Sequence, residues 1–569
     1  MKKASPKIVV DLDVVLVSAC ALGLIALIVQ SGYNFRLSPL QKVIFALANY
    51  LIIAAFLVDI GVHYALAPSK WQHFRRNILD MVIVLPLLLS LVSVQTSAGL
   101  IIVRQAMVLA QLTSRMRKAK RLLTYLQMNP AQLLGLSFAG LIFVGSILLT
   151  FPAATKDGYG ASMLTALFTA TSATCVTGLV VVDTGTHFST FGQIVILCLI
   201  QLGGLGMMTF STSLALIFGK RLGVRERATM QEVLDAPDPA SLIRIVRYIV
   251  KMTVCAELIG ATILFVRFKF VYPSVLKAAY YALFHAISAF CNAGFGLYSD
   301  SLTGFHGDLI VNFTITTLII MGGIGFVVVA AVTNRENLRR GVRGSLLHLD
   351  VHSKLVLSAT AVLIVGGALA VFFFEFDRSL LTLSTKDKFL AAYFQSVTAR
   401  TAGFNTIDIG QLRNVTLFIM MVWMFVGAAP GSTGGGIKVS TVAVLLLSLK
   451  TMLQERRDIE VFRRTIPQPV VYKSIAVTIV SLLLLGSLFS LLLVSQDGKF
   501  VDLLFEAVSA FGTVGLSVGV TPQLNAAGRV IIMLLMFIGR LGPLTLAFAV
   551  GRRSRRSYLR YPQGRVMIG

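Results

Sequence analysis

Charge is what this sequence lacks most. Only 13% of its 569 residues are charged, 56% are hydrophobic, and the mean hydropathy is +0.82. A soluble globular chain has no use for so much apolar surface. Many of the apolar runs exceed about 18 residues, the length that spans a bilayer as helix. The chain therefore reads as a multi-pass membrane protein. Acidic residues are scarcer still, 25 against 51 Lys and Arg, for a net charge of +26. That excess would suit nucleic acid, but its placement excludes it. The basic residues gather in a few short stretches, among them Lys220–Arg227, Arg335–Arg343, Lys450–Arg464 and Arg552–Arg560. A bias of this kind marks the cytoplasmic side, so the N- and C-termini are expected there. Cysteine is rare as well. The five, Cys20, Cys175, Cys198, Cys255 and Cys291, are odd in number and show neither metal-ligand spacing nor a disulfide framework. Cys175 and Cys291 read as small buried thiols. No nucleophile–base pair or metal cluster appears, which argues against an enzyme, and His285 reads as a satisfied buried side chain. The N-terminal run to Cys20 mimics a signal peptide. Asp11 and Asp13 interrupt it and the apolar stretch continues to Val29, so an uncleaved membrane helix is expected.

What the chain has in abundance is one unit used four times. Thr174-Cys175-Val176-Thr177-Gly178 returns as Cys291-Asn292-Ala293-Gly294, Arg400-Thr401-Ala402-Gly403 and Gly512-Thr513-Val514-Gly515. The closing glycines fall 116, 109 and 112 residues apart. Each copy follows a related lead-in, as in Leu167-Phe168-x-Ala170-x-Ser172-Ala173 and Leu504-Phe505-x-Ala507-x-Ser509-Ala510. A fixed period of this kind means one supersecondary unit repeated. Each unit reads as an apolar helix, a short amphipathic helix, a glycine turn and a second apolar helix. The fold class is thus an all-α polytopic membrane protein with four pseudo-symmetric helix–pore helix–helix repeats, plus about four N-terminal transmembrane helices. The domains are 1–130 (N-terminal helices), 131–219, 220–333, 334–449 and 450–550 (pore repeats), and 551–569 (basic tail).

The N-terminal domain places Asp59, Asp80 and Arg104 in apolar surroundings, with Arg115, Lys118 and Arg121 at its basic end. The stretch from Trp71 to Pro86 resembles voltage-sensor domains. Voltage sensing needs a cation at every third residue within the membrane, and only Arg104 lies in the apolar part. A sensor-like fold and a packing domain with degenerate charges both remain open.

Four glycine turns around one axis can present a ring of backbone carbonyls, the architecture of a cation filter. Carbonyls replace an ion's hydration shell without a net charge to trap it, and glycine reaches the required backbone without a Cβ penalty. The transported cation is then held at filter carbonyls only, with no other metal. Asp183, Asp300 and Asp408 follow three of the glycines by five or six residues. They fit both an outer mouth that concentrates cations and ordinary solvated turns. In the third repeat the return helix is broken by Gly427-Ala428-Ala429-Pro430-Gly431-Ser432-Thr433-Gly434-Gly435-Gly436, which cannot continue a helix cheaply. At membrane depth such a loop must face water or protein. Arg540, among apolar neighbours in the last helix, must face the interior, whereas Lys438 reads as a residue able to snorkel to the aqueous side.

Together Ser172–Leu179, Cys291–Phe295, Arg400–Phe404 and Phe537–Pro543 resemble the Trk/Ktr/HKT superfamily of potassium transporters over roughly residues 131–550. The N-terminal domain departs from that pattern. The resemblance implies potassium uptake across the plasma (inner) membrane, with glycine in all four loops going with potassium preference and serine in the first with sodium. It implies that residues 427–436 are a gating loop, and that Arg540 contacts it or repels ions. It further implies a homodimer and a cytosolic nucleotide-binding regulatory ring of the RCK type. No covalently bound cofactor is expected, sodium is a possible coupling or regulatory ion, and anionic lipid accounts for the basic face as well as an acidic partner does. Two alternatives are compatible with the same residues: a sodium-permeable transporter of the same fold, and a non-conducting voltage- or signal-sensing membrane protein.

Overall fold

A computed structural model describes residues 130–217, 239–333, 348–456 and 458–542. The expected N-terminal helices, the voltage-sensor-like region and the basic tail lie outside the described residues.

The first repeat comprises α1 (Pro130–Leu149), the short α2 (Met163–Thr174) and α3 (Thr190–Ile217). The second comprises α4 (Pro239–Phe268), α5 (Val275–Phe290), α6 (Leu309–Gly323) and α7 (Phe326–Val332). The third holds α8 (Val351–Glu375), α9 (Thr385–Thr398), α10 (Asn414–Phe425) and α11 (Val439–Leu453). The fourth holds α12 (Gln468–Ser495), α13 (Phe500–Gly512) and α14 (Ala526–Leu541). Helix thus dominates, and the protein is an all-α polytopic membrane fold. Among the described residues a small departure is a hairpin of β1 (Ile459–Val461) and β2 (Arg464–Ile466) between the third and fourth repeats. Sequence reading missed this hairpin because its turn, Phe462-Arg463, carries no glycine or asparagine, yet both residues are left-handed at φ 49° and 62°.

Three described helices are long and apolar enough to cross a membrane: Val246–Phe268, Val351–Glu375 and Gln468–Ser495. Each opens a repeat. The short helices α2, α5, α9 and α13 have 12 to 16 residues, about 18–24 Å, enough to enter a bilayer but not to cross it. Serine side chains start three of them: Ser162, Ser274 and Ser384 accept the N–H of Thr165, Lys277 and Asp387, supplying one of the orphan donors at each helix start. Every short helix packs on the outgoing helix of its own repeat, α2 on α1, α5 on α4, α9 on α8 and α13 on α12. Their inner faces, Phe168, Phe284, Phe394 and Phe505 among them, are completely buried. The phenylalanine of each lead-in is therefore the residue that seats the pore helix.

The second repeat contains a break the sequence reading did not place. Between α6 and α7 the chain turns by 104° at Ile324-Gly325, with Gly325 at φ +89°. Only the third repeat was expected to break.

Candidate functional site

The four glycine turns meet around one axis. Gly178, Gly294, Gly403 and Gly515 all have left-handed backbone, at φ 92°, 70°, 81° and 94°. A Cβ added at Gly178 would lie 2.5 Å from the Ala293 oxygen, and one at Gly294 would lie 2.8 Å from the Ala402 oxygen. At Gly403 it would run into the Val514 oxygen, and at Gly515 into the Thr177 oxygen. Each glycine therefore abuts the carbonyl that precedes the next repeat's glycine, and the fourth closes back on the first. Glycine is required at all four corners both by φ and by this approach.

The residue two places earlier is left-handed in every loop as well: Val176, Asn292, Thr401 and Thr513, at φ 56°, 59°, 69° and 50°. Each costs of order 1 kcal/mol or more as a non-glycine residue, and the surrounding bonds hold it there. Backbone N–H groups of Thr177, Ala293 and Val514 donate to the carbonyls of Ser172, Ser288 and Ser509 at 2.8–2.9 Å. The Ser172 and Ser509 hydroxyls accept the N–H of Gly178 and Gly515, each at 3.1 Å. The lead-in serine thus has a physical role, holding the glycine turn from inside. Ser172→Ala leaves the Gly178 N–H unpaired in a buried site, a loss of roughly 1–3 kcal/mol. The expected result is a melting temperature several degrees lower for the purified protein, measured by tryptophan-independent dye fluorescence.

Not every sequence-chosen residue joins the ring. Thr174 is the last residue of α2, and Cys175 caps it. Gly512 closes α13, where a Cβ would meet the Met424 carbonyl 2.5 Å away. The third loop is one residue shorter than the others, and the Arg400 side chain turns away from the axis to donate to Thr360 of α8 at 3.2 Å. Both ends of its neighbour Gln395 are buried without a partner among the described residues. His285 is wholly buried, with Nδ1 at 2.7 Å from the Tyr281 carbonyl and Nε2 accepting the Leu297 N–H at 3.4 Å. It is satisfied within the core.

On one side the ring opens into a cavity of about 300 Å³ lined by all four glycines and by Asp183, Asp300 and Asp408. The carboxylates also hold turns. Asp183 accepts from the Thr186 N–H and hydroxyl at 2.6 and 2.7 Å, Asp300 from the Thr303 hydroxyl at 2.5 Å, and Asp408 from the Gly410 N–H and the Gln411 amide at 3.0 Å. They are turn caps that also line the cavity. The fourth repeat has no counterpart there. Its acid is the buried Glu506 of α13, which accepts from Ser517, Val518 and Thr521 at 2.5–3.2 Å and fixes the outer loop from behind.

On the opposite side lies the Gly427–Gly436 loop. Its backbone bonds run largely to the break of the second repeat. Ala429 N–H donates to the Gly323 carbonyl at 2.9 Å, Thr433 N–H to Gly322 at 3.1 Å, and Phe326 N–H to Gly431 at 3.0 Å. Two irregular segments at membrane depth thus satisfy each other, which is what allows both to exist there. The loop closes on itself where Gly427 N–H donates to Ile437 at 2.8 Å. Arg540, fully buried, donates to the Thr433 carbonyl of the loop and to the Gly203 carbonyl of α3, with Gly204 at 3.5 Å. Lys438 does not snorkel. Its ammonium turns back to donate to the Gly434 carbonyl at 2.8 Å.

Gly203, Gly322 and Gly539 were not singled out from sequence. A Cβ on each would strike the carbonyl at the end of its own pore helix, Thr174, Phe290 or Phe511. The signal was present: Gly203-Gly204-Leu205-Gly206, Gly322-Gly323-Ile324-Gly325 and Gly539-Arg540-Leu541-Gly542 share one spacing. Arg540 stands where the first two have glycine.

Among the described residues no group of three or more His, Cys, Asp or Glu could hold a metal ion. The chain matches a family model described as cation transport protein, TrkH, over residues 105–557. It is 42% identical over 453 residues to the Ktr system potassium uptake protein B of Bacillus subtilis, covering 79% of this chain and 99% of that protein. It is 35% identical over 455 residues to the potassium/sodium uptake protein NtpJ of Enterococcus hirae, covering 78% and 98%. The crystal structure of the potassium transporter TrkH from Vibrio parahaemolyticus aligns with a TM-score of 0.61 at 19% identity, covering 83% of this chain and 96% of that one; at that identity it speaks for the fold alone. The geometry of four turns closing on one axis and the family match agree, and neither points to an enzyme. The chain belongs to the TrkH family of cation transport proteins.

Proposed function

We propose that this protein carries potassium ions across the membrane through the ring of glycine turns. The observation that carries the reading is the closed ring itself. Four glycines each abut the carbonyl before the next repeat's glycine, and the ring opens into an acid-lined cavity. Such carbonyls substitute for an ion's water at no cost in trapped charge. The filter comprises Thr177-Gly178, Ala293-Gly294, Ala402-Gly403 and Val514-Gly515, and the left-handed residue before each pair turns the chain into it. Thr174, Cys175, Cys291, Arg400 and Gly512 shape it from outside. Asp183, Asp300 and Asp408 raise the cation concentration at its mouth. Residues 427–436 form the gate, held by Arg540. The potassium uptake named for the Bacillus relative supports the choice of ion. The potassium/sodium uptake named for the Enterococcus relative supports a second reading with sodium permeation, against which stand the four glycines.

The protein resides in the plasma membrane with the acid-lined cavity outside. The exposed basic residues around the β1–β2 hairpin, Arg456, Arg463 and Arg464, support a cytoplasmic placement for the opposite face. It acts as a homodimer with a cytosolic nucleotide-binding ring, among anionic lipids. Purified protein in liposomes tests the ion assignment. Rubidium and potassium are expected to permeate well ahead of sodium at every imposed voltage. Equal sodium flux would overturn the potassium reading, and absence of all flux even with the Gly427–Gly436 loop shortened would overturn the pore.

A further inference from the structure

The residues two places before the filter glycines do more than shape the turn. We propose that the side chains of Asn292, Thr401 and Thr513 latch the Gly427–Gly436 loop beneath the ring and so set how often the pore opens. The inference rests on the reading of that loop as the gate.

All three side chains are fully buried, and all three reach the loop or each other. The Thr513 hydroxyl accepts the Gly435 N–H at 3.1 Å. The Thr401 hydroxyl lies so close over Gly434 that a Cβ there would collide with it. The Asn292 amide sits 3.3 Å from the Thr401 hydroxyl and 3.5 Å from the Thr433 hydroxyl. Turned to satisfy both its ends, it donates to the Phe290, Ala289 and Ile319 carbonyls at 3.2 Å and accepts from Thr401, so that it braces Thr401 from behind instead of bonding the loop itself. Thr433 in turn donates its hydroxyl to the Phe290 carbonyl at 3.2 Å. The second and fourth repeats therefore bond Thr433 and Gly435, and the Thr401 hydroxyl packs over Gly434 between them.

The first repeat carries Val176 at the same place, with the same left-handed backbone at φ 56°. Valine has no hydrogen-bonding group. On that side the tie to the loop comes from Arg540, which joins the Gly203 carbonyl of α3 to the Thr433 carbonyl. The latch is thus completed from all four repeats by different chemistry. When the loop leaves, the Thr513 hydroxyl loses its N–H partner, so each such bond favours the closed state.

The test uses full-length protein in liposomes and compares Thr513→Val with Thr513→Ser. Valine keeps the shape, and Val176 demonstrates that this backbone accepts it. Both variants are also made in a chain with residues 431–435 shortened to two glycines. Thr513→Val is expected to raise potassium flux about fivefold, the weight of one net hydrogen bond, with the potassium-to-sodium ratio unchanged. Thr513→Ser restores native flux, and neither variant alters flux in the shortened chain. If Thr513→Val lowers flux or shifts the ion ratio in both backgrounds, the hydroxyl serves the ion and the latch falls. If shortening raises flux while Thr513→Val does not, the gate stands and the latch falls. If shortening does nothing, both fall.

Discussion

Gly178→Asp is expected to abolish potassium uptake while the protein still inserts and purifies as a folded species. Two costs combine at this position. At φ 92° a side chain is strained whatever the space around it, and the first atom of that side chain would lie 2.5 Å from the Ala293 oxygen and 3.1 Å from the Gly294 Cα. The neighbour is backbone and cannot swing aside, so the ring must open at the seam between the first and second repeats. Displacing it by even a fraction of an ångström removes the matched set of carbonyls. The carboxylate adds a fixed charge that binds a cation too tightly to pass. Together these amount to several kcal/mol in the barrier, a loss of more than about a hundredfold. The measurement is rubidium uptake by liposomes against native protein at equal incorporation. Uptake within a factor of two of native would sink the assignment of the ring as the conduction path. Gly515→Ala carries the converse check. It lacks the charge but meets the Thr177 carbonyl, so it too is expected to lose most uptake.

How much of this was legible beforehand depends on which physical signal each element rests on. The pore helices were readable because their lead-in, with phenylalanine facing in and serine near the end, recurs at a fixed period. Their observed ends, Thr174, Phe290, Thr398 and Gly512, lie three to five residues before the closing glycine of each turn. The break in the third repeat was readable because Pro430 and three consecutive glycines forbid a helix. The break at Gly325 was not, because one glycine after Met321-Gly322-Gly323 is tolerated in many helices. It becomes a break only because the Gly427–Gly436 loop offers Ala429 and Thr433 as donors to the carbonyls of Gly323 and Gly322. That is tertiary information. The left-handed Val176, Asn292, Thr401 and Thr513 were equally hidden, since their residue types share no preference for that conformation. The direction of the Arg400 side chain was hidden too. Its place in the repeat put it beside the ring, while the shorter third loop sends its side chain to Thr360. Lys438 looked like a residue that reaches for water, but its ammonium donates to the Gly434 carbonyl.

Arg540→Leu is expected to raise potassium flux by tenfold or more. The guanidinium joins the first repeat's return helix to the loop, through the Gly203 and Thr433 carbonyls. A hydrogen bond from a charged donor contributes roughly 1.5–3 kcal/mol, so losing the bond to Thr433 shifts the loop toward release by about ten- to a hundredfold. Leucine fills much of the space and leaves the carbonyl unpaired. Lys438 still holds Gly434, which keeps the loop in place part of the time and the flux gated. A second effect points the same way: a fixed cation below the ring repels ions in transit, and its removal also raises flux. Arg540→Lys separates the two. Lysine retains the charge but is a single compact ammonium without the guanidinium's rigid fork, so it cannot hold both carbonyls. Flux in Arg540→Lys close to that of Arg540→Leu assigns the role to the bonds; flux close to native assigns it to the charge. Reduced flux in Arg540→Leu, with the fold intact by melting temperature, would mean that the arginine supports the open pore, and the loop would no longer be its gate.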